Sequence, residues 1–218
     1  MAKKLDFANQ ELRRETIFSA TFKVILKDGI SGLRINSVAK EAGISKTLVH
    51  YYFKDKDTLL VEFIRALFRK FLDYVERRYR ASDPPQIKIE AFFGAGKDFI
   101  DKQQDLLVVL IEVWCYCIRD PRLKKEFAKL NKKTAEVMVK ILDEGERQGV
   151  FNKVRKEALS AFYLAFIVGS GILSHLDKQF FDTGEQFGIL SAKFSAFLKK
   201  NLTNGINDKF SSSESGSD

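Results

Sequence analysis

The chain has 218 residues, 45% hydrophobic and 30% charged, with a formal net charge of +8, and is long enough to bury a substantial core without disulfide or metal support. The basic excess is uneven: residues 1–80 carry 17 basic and 10 acidic side chains, whereas residues 81–218 carry 20 and 19. This balance excludes a disordered or disulfide-stapled chain and points the N-terminal part toward a polyanion, either nucleic acid or a membrane surface.

Met1 to Gln10 has no apolar run after its two lysines, so it does not read as a secretory signal. Ile17, Ala20, Thr21, Val24 and Ile25 then form one helical stripe, with Asp28-Gly29 as its stop. Residues 35–53 read as two short helices joined at Gly43. Ala39 allows close helix approach, Gly43 supplies a left-handed turn, and Val38, Ile44, Val49 and Phe53 are spaced to fill the angle between the helices. Ser45 is placed to cap the second helix. Lys46, Thr47, His50 and Tyr51 share an outward face without a carboxylate, which suits phosphates and base edges better than bulk water. The bland alternative is a glycine-turned helix pair inside an ordinary bundle.

Leu60, Phe63, Ile64, Leu67, Phe68, Phe71, Leu72 and Val75 continue as the stripe of a long helix that ends before Asp83-Pro84-Pro85. Further helices are predicted near 86–103, 105–118, 121–148, 155–177 and 184–201, with no alternating strand pattern. Asp120-Pro121 is a start signal: the carboxylate accepts from free amides, and proline fills the first helical position. Gly149 closes that helix. The fold class is all-α, about nine helices, with domains at 10–55, 56–80 (a linking helix) and 81–202, and a disordered tail at 203–218.

Cys115 and Cys117 are the two cysteines. Two residues apart on a helix they point about 200° apart, a poor disulfide geometry. Free thiols suit a reducing cytoplasm, and no partner set completes a metal site. Asp105, Glu112 and Arg119 recur every seven residues and read as a solvated stripe. Residues 158–173 are apolar nearly all round but include Ser160, Gly169, Ser170 and Gly171 and fall short of the roughly 20 residues of a membrane span, so they read as buried helix. A second apolar surface is needed to cover the helix fully. A second copy of the chain supplies it if Phe162, Gly169 and Gly171 meet the stripe of Phe187, Leu190, Phe194 and Phe197 in a twofold four-helix interface.

An enzyme on a helical bundle is the competing class, but two histidines and no nucleophile triad, zinc motif or phosphate-cradling loop leave no catalytic set and no cofactor site. A basic protein that coats DNA or anionic surfaces without sequence preference is the other alternative.

The stretch from Ser37 to Leu60, extended backward through Arg14-x-x-Ile17-x-x-Ala20 and Asp28-Gly29, resembles the signature of the TetR/AcrR family of bacterial transcriptional regulators. The resemblance covers roughly residues 10–65; Asp120-Pro121 and Gly145-x-x-x-Gly149-x-Phe151 agree by pattern only. It implies a cytoplasmic homodimeric repressor that binds a palindromic operator in double-stranded DNA and is released by a small-molecule effector bound in the C-terminal body. Its recognition helix would run from Lys46 to Tyr52, with Lys46, Thr47, His50 and Tyr51 nearest the bases or backbone, and with Tyr52 and Lys56 on phosphates. Two positions depart from the family pattern. Arg34 stands where a capping threonine is usual and would replace its phosphate contact by charge. Leu48 stands where a small or hydroxyl residue is usual, and either meets a thymine methyl or faces inward. An effector pocket, also implied by the resemblance, draws on Trp114 first, then Tyr116, Phe92, Phe162, Phe166 and His175.

Overall fold

The computed structural model describes residues 2–181 and 183–200. The tail at 203–218 lies outside the described residues. Among them are nine helices and no strand: α1 (Ala2–Gly32), α2 (Ile35–Ala42), α3 (Lys46–Tyr52), α4 (Lys56–Glu76), α5 (Pro85–Lys102), α6 (Gln104–Arg119), α7 (Pro121–Arg147), α8 (Lys156–Leu176) and α9 (Thr183–Lys200). The all-α expectation therefore holds for the described chain. Each helix after the first ends within a few residues of its predicted limits.

α1 is broken, not stopped, at Gly29, whose φ of 67° and ψ of 177° lie outside the helical region. A final turn follows to Gly32. At Asp120 the expected start geometry is present: Oδ1 accepts from the amides of Arg122 at 2.8 Å and Leu123 at 3.3 Å, and α7 opens on Pro121. At the other end of α7, Gly149 has φ 70°, and the amides of Val150 and Phe151 both return to the Gly145 carbonyl. Phe151 thereby lies against Gly145 so closely that a Cβ there would overlap its ring.

The chain forms two compact units. Among the described residues, the first takes in those through Asp73 together with Phe99–Thr134, and the second takes in Tyr74–Asp98 and those after Thr134. The sequence reading assigned all of 81–202 to one later domain. The difference has a cause: Val109, Val113, Cys117 and Leu123 share one buried cluster with Ile17, Val24, Val38, Val49, Phe53 and Leu60. Their apolar faces are covered by the N-terminal helices, so α6 and the start of α7 belong with them.

Inside the second unit, Tyr163 is buried and donates its hydroxyl to the Phe92 carbonyl at 3.0 Å. Its ring lies 4.7 Å from Phe93, which in turn lies 4.8 Å from Phe194, and Phe166 lies 5.0 Å from Phe187. Lys88, 5% exposed, donates to both oxygens of Glu144 and to the Ala81 carbonyl.

These contacts divide the expected dimer set. Phe187, Phe194 and Gly171 are buried against their own unit, while Phe162 is 57% and Phe197 50% exposed. Gly169 is half-buried with open space beside it, and Leu190 is half-buried. Helical spacing gives α8 and α9 two apolar stripes each but does not say which stripe turns to the body. The expectation that residues 158–173 form a buried helix is corrected too. Among the described residues α8 is the one helix long and apolar enough to cross a membrane, and only 22% of its most apolar stretch is buried.

Both cysteines are free, with Cys115 exposed and Cys117 buried. Burial pushes the Cys117 thiol up to about 11, with nearby Asp120 adding to the effect. Its thiolate is then about one thousandth of the population at pH 8, and thiolate is the reactive form. Alkylation of the native protein at pH 8 should therefore modify one thiol per chain, at Cys115, and two after denaturation. Equal modification of both in the native protein, read by mass spectrometry of peptides, would show that α6 opens.

Candidate nucleic-acid interface

α2 ends at Gly43, which adopts φ 66° and ψ 29°, the left-handed conformation that costs glycine least. The amide of Ile44 closes the turn onto the Ala39 carbonyl at 3.1 Å. Ser45 follows in extended backbone and accepts from the Leu48 amide at 3.1 Å, so α3 starts where its first free donors are met. Val38, Val49 and Phe53 are fully buried, Ala39 is 3% exposed and Ile44 packs against the same core. A seven-residue helix has little stability of its own. Its orientation is lent by these anchors and by Phe18, whose ring centroid lies 5.5 Å from that of Phe53.

Outward from this scaffold, Lys46, Thr47, His50 and Tyr51 are all exposed, Tyr51 by 76%. Tyr52 is half-buried, edge-on to Tyr51 with centroids 5.2 Å apart. Leu48 is half-buried, the inward-leaning alternative of the two. Arg34 is exposed at the N-cap of α2, where no side-chain capping bond forms. His50 Nδ1 lies 3.1 Å from the Lys54 carbonyl oxygen, a contact that sequence spacing did not disclose.

Lys56 requires a correction. Its ammonium donates to the Ile30 carbonyl at 3.0 Å and sits 4.9 Å from the centroid of the Tyr116 ring. Partial burial pushes its pKa below the ordinary lysine value, against the pull of Asp57 and with a small contribution from Arg34. In this structure the side chain is engaged by protein groups, not offered to a phosphate. The start of α4 is held by a residue the sequence reading passed over: Asp55 accepts from the Thr58 amide at 2.7 Å, and that backbone bond leads the causes that hold its carboxyl below the usual range. An aspartate three before a hydroxyl residue at a helix start was the available signal.

Glu112 is the second correction. Its Oε2 accepts from the Ile30 amide at 3.1 Å and lies beside Gly29, so this carboxylate is not on a solvated stripe. The break in α1 frees an amide donor, and Glu112 satisfies it. Glu112, Tyr116 and Lys56 thus surround the last turn of α1.

Of the six residues expected to line an effector pocket, two lie in one unit and four in the other. Trp114 and Tyr116 belong to the first unit, where Trp114 lies 6.1 Å from Phe127 and Tyr116 faces Lys56. Phe92, Phe162, Phe166 and His175 belong to the second. There Phe92 is core, Phe166 stacks on Phe187, and Phe162 and His175 face outward. The indole Nε1 of Trp114 is buried without a hydrogen-bond partner.

The capped helix pair, joined by a left-handed glycine and set on a supporting helix, has the geometry of a helix-turn-helix. Residues 17–63 match the family described as bacterial regulatory proteins, tetR family. The likeness to that family is carried by this N-terminal helix-turn-helix segment. Over 117 residues it is 32% identical to the HTH-type transcriptional regulator BetI of Burkholderia thailandensis, a match covering 53% of this chain and 60% of that relative. The chain thus spans less than two thirds of the curated relatives it matches.

Solved structures extend the likeness in fold to the whole body. A TetR transcription regulator from Haloarcula marismortui superposes with a TM-score of 0.75 at 21% identity, covering 86% of this chain and 98% of that one. FadR from Bacillus subtilis in complex with stearoyl-CoA gives 0.68 at 18% identity, covering 88% and 99%. A Saccharomonospora viridis protein in complex with choline gives 0.73 at 19%, covering 86% and 98%.

Proposed function

We propose that the chain is a homodimeric, sequence-specific DNA-binding repressor that leaves a palindromic operator when a small molecule binds the part of the chain after α4. The observation that carries this reading is the exposed face of α3. Lys46, Thr47, His50 and Tyr51 project from a short helix whose opposite side is locked by Val49 and Phe53. Charge, hydroxyl, imidazole and phenol on a rigid base suit base-edge and phosphate contacts. Its activity is binding, not turnover.

The homodimer reading is supported by exposed apolar residues on α8 and α9, where Phe162, Leu176, Ile189 and Phe197 are each at least half exposed. Such a surface calls for a partner, and a twofold interface places two α3 helices about 34–36 Å apart on successive major grooves. The small molecule would act by favouring the DNA-incompetent arrangement; a coupling of about 1–3 kcal/mol weakens operator binding roughly 5–150-fold. Choline and long-chain acyl-CoA, the ligands held by two structural neighbours, are the first chemical classes to screen.

Selection of bound duplexes from random DNA at near-physiological salt tests the reading. An inverted repeat is the expected product. Binding that enriches no sequence and fades steeply as salt rises would establish a nonspecific basic protein instead. With the operator known, Lys46→Ala should weaken all sequences alike and reduce the salt slope by about 1 if its ammonium meets phosphate. Loss of discrimination at a single operator position would move Lys46 to a base.

A further inference from the structure

The contact between His50 and Lys54 fixes more than the ring's position. A backbone carbonyl can only accept, so at 3.1 Å from the Lys54 oxygen it is Nδ1 that carries the proton. In the neutral ring this tautomer leaves Nε2, at the far end, as a lone-pair acceptor, whereas in the imidazolium Nε2 would donate. His50 is exposed on α3, one turn beyond Lys46 and next to Tyr51.

An outward acceptor is a restrictive device on duplex DNA. Phosphate and sugar-ring oxygens have no proton to donate, so a neutral Nε2 finds no partner along the backbone. In the major groove the donors are the N6 amine of adenine and the N4 amine of cytosine, whereas guanine offers N7 and O6 and thymine offers O4 and a methyl group. Resting on the regulator reading above, we propose that His50 meets DNA as the neutral Nδ1–H tautomer and is a specificity-determining residue whose Nε2 accepts from the exocyclic amine of one base in each half-site, selecting adenine or cytosine over guanine or thymine on the contacted strand. One acceptor distinguishes amino from keto bases; the choice between adenine and cytosine then falls to neighbours such as Lys46 and Tyr51.

Operators selected by the wild-type protein should show one position per half-site restricted to adenine or cytosine on one strand. His50→Ala, at a site outside the core, should lose that restriction alone, while preferences at other positions persist. A mismatch there that costs the wild type roughly 5- to 150-fold in affinity should cost the variant less than about twofold. A sharper arm deletes the amine itself, with purine in place of adenine or 2-pyrimidinone in place of cytosine. Wild-type binding should fall at least about fivefold, and His50→Ala should bind the two duplexes equally. Uniform weakening by His50→Ala with every positional preference intact would overturn the proposal and leave His50 a backbone contact or support. A relaxed position whose wild-type preference admits a guanine or thymine on both strands, as a purine-only or an A·T-only preference does, would overturn it as well. If the wild type selects no inverted repeat, the regulator reading itself fails and takes this one with it, a result separate from a recovered operator that ignores His50.

Discussion

Phe53→Ala should destabilise the first unit by about 3–5 kcal/mol, the range for truncating a large aromatic in a core that relaxes only partly. Phe53 is fully buried at the C-cap of α3, and its amide closes the helix onto the Val49 carbonyl at 2.8 Å. Its ring meets Phe18 at 5.5 Å and lies 5.1 Å from the Arg14 guanidinium, which also pairs with Glu62 at 3.1 Å. Deleting the ring therefore opens a cavity where α1, α3 and α4 converge and strips Arg14 of one face. At roughly 2–4 °C per kcal/mol for a chain of this size, melting of this unit should fall by about 6–20 °C. Specific DNA binding should fall further than the helical signal, because α3 depends on this anchor for its orientation. Calorimetry with parallel binding measurements checks both. A loss below about 1 kcal/mol would mean that α3 is held by something other than the packed ring.

Such local anchors were legible in the sequence because their signals are local. Gly43 with Ser45 two residues on, Asp120 before Pro121, and Gly149 after a basic last turn each announce a helix end by chemistry confined to a few residues, and each occurs where expected. The periods that give α4 to α9 are equally local. What the sequence concealed was decided by groups far along the chain. Glu112 resembles a member of a polar stripe until the break at Gly29 leaves an amide 82 residues away needing an acceptor. Lys56 is 26 residues from the Ile30 carbonyl it donates to, and 60 from the ring it faces. Phe187 and Phe197 lie on one helix with like side chains, yet one is buried against Phe166 and the other half exposed, a distinction set by the neighbouring helix and absent from the spacing. Large aromatic residues likewise do not announce which unit they join: Trp114 lies in the first and Phe92 in the second.

Removal of one partner from the Lys88–Glu144 pair should have the second large effect, and an asymmetric one. The Lys88 side chain is 6% exposed and that of Glu144 28%. Lys88 reaches three acceptors, both carboxylate oxygens at 2.8–2.9 Å and the Ala81 carbonyl at 2.7 Å. Glu144→Ala leaves an ammonium where water reaches it poorly, with one carbonyl as its remaining partner, and should cost about 3–5 kcal/mol. Lys88→Met leaves a carboxylate that can be rehydrated and that still accepts from Gln148 at 3.1 Å, and it frees the carbonyl of the exposed Ala81 to water, so its cost should be smaller, about 0.5–1.5 kcal/mol. Combining Lys88→Met with Glu144→Leu removes both charges and should recover most of the Glu144→Ala loss, since apolar replacements of a buried ion pair are often neutral or better. Denaturant unfolding of the four proteins gives the cycle. Equal losses in the two single variants would show that Lys88 is as well hydrated as Glu144, and would reduce the pair to a surface contact worth about 0–1 kcal/mol.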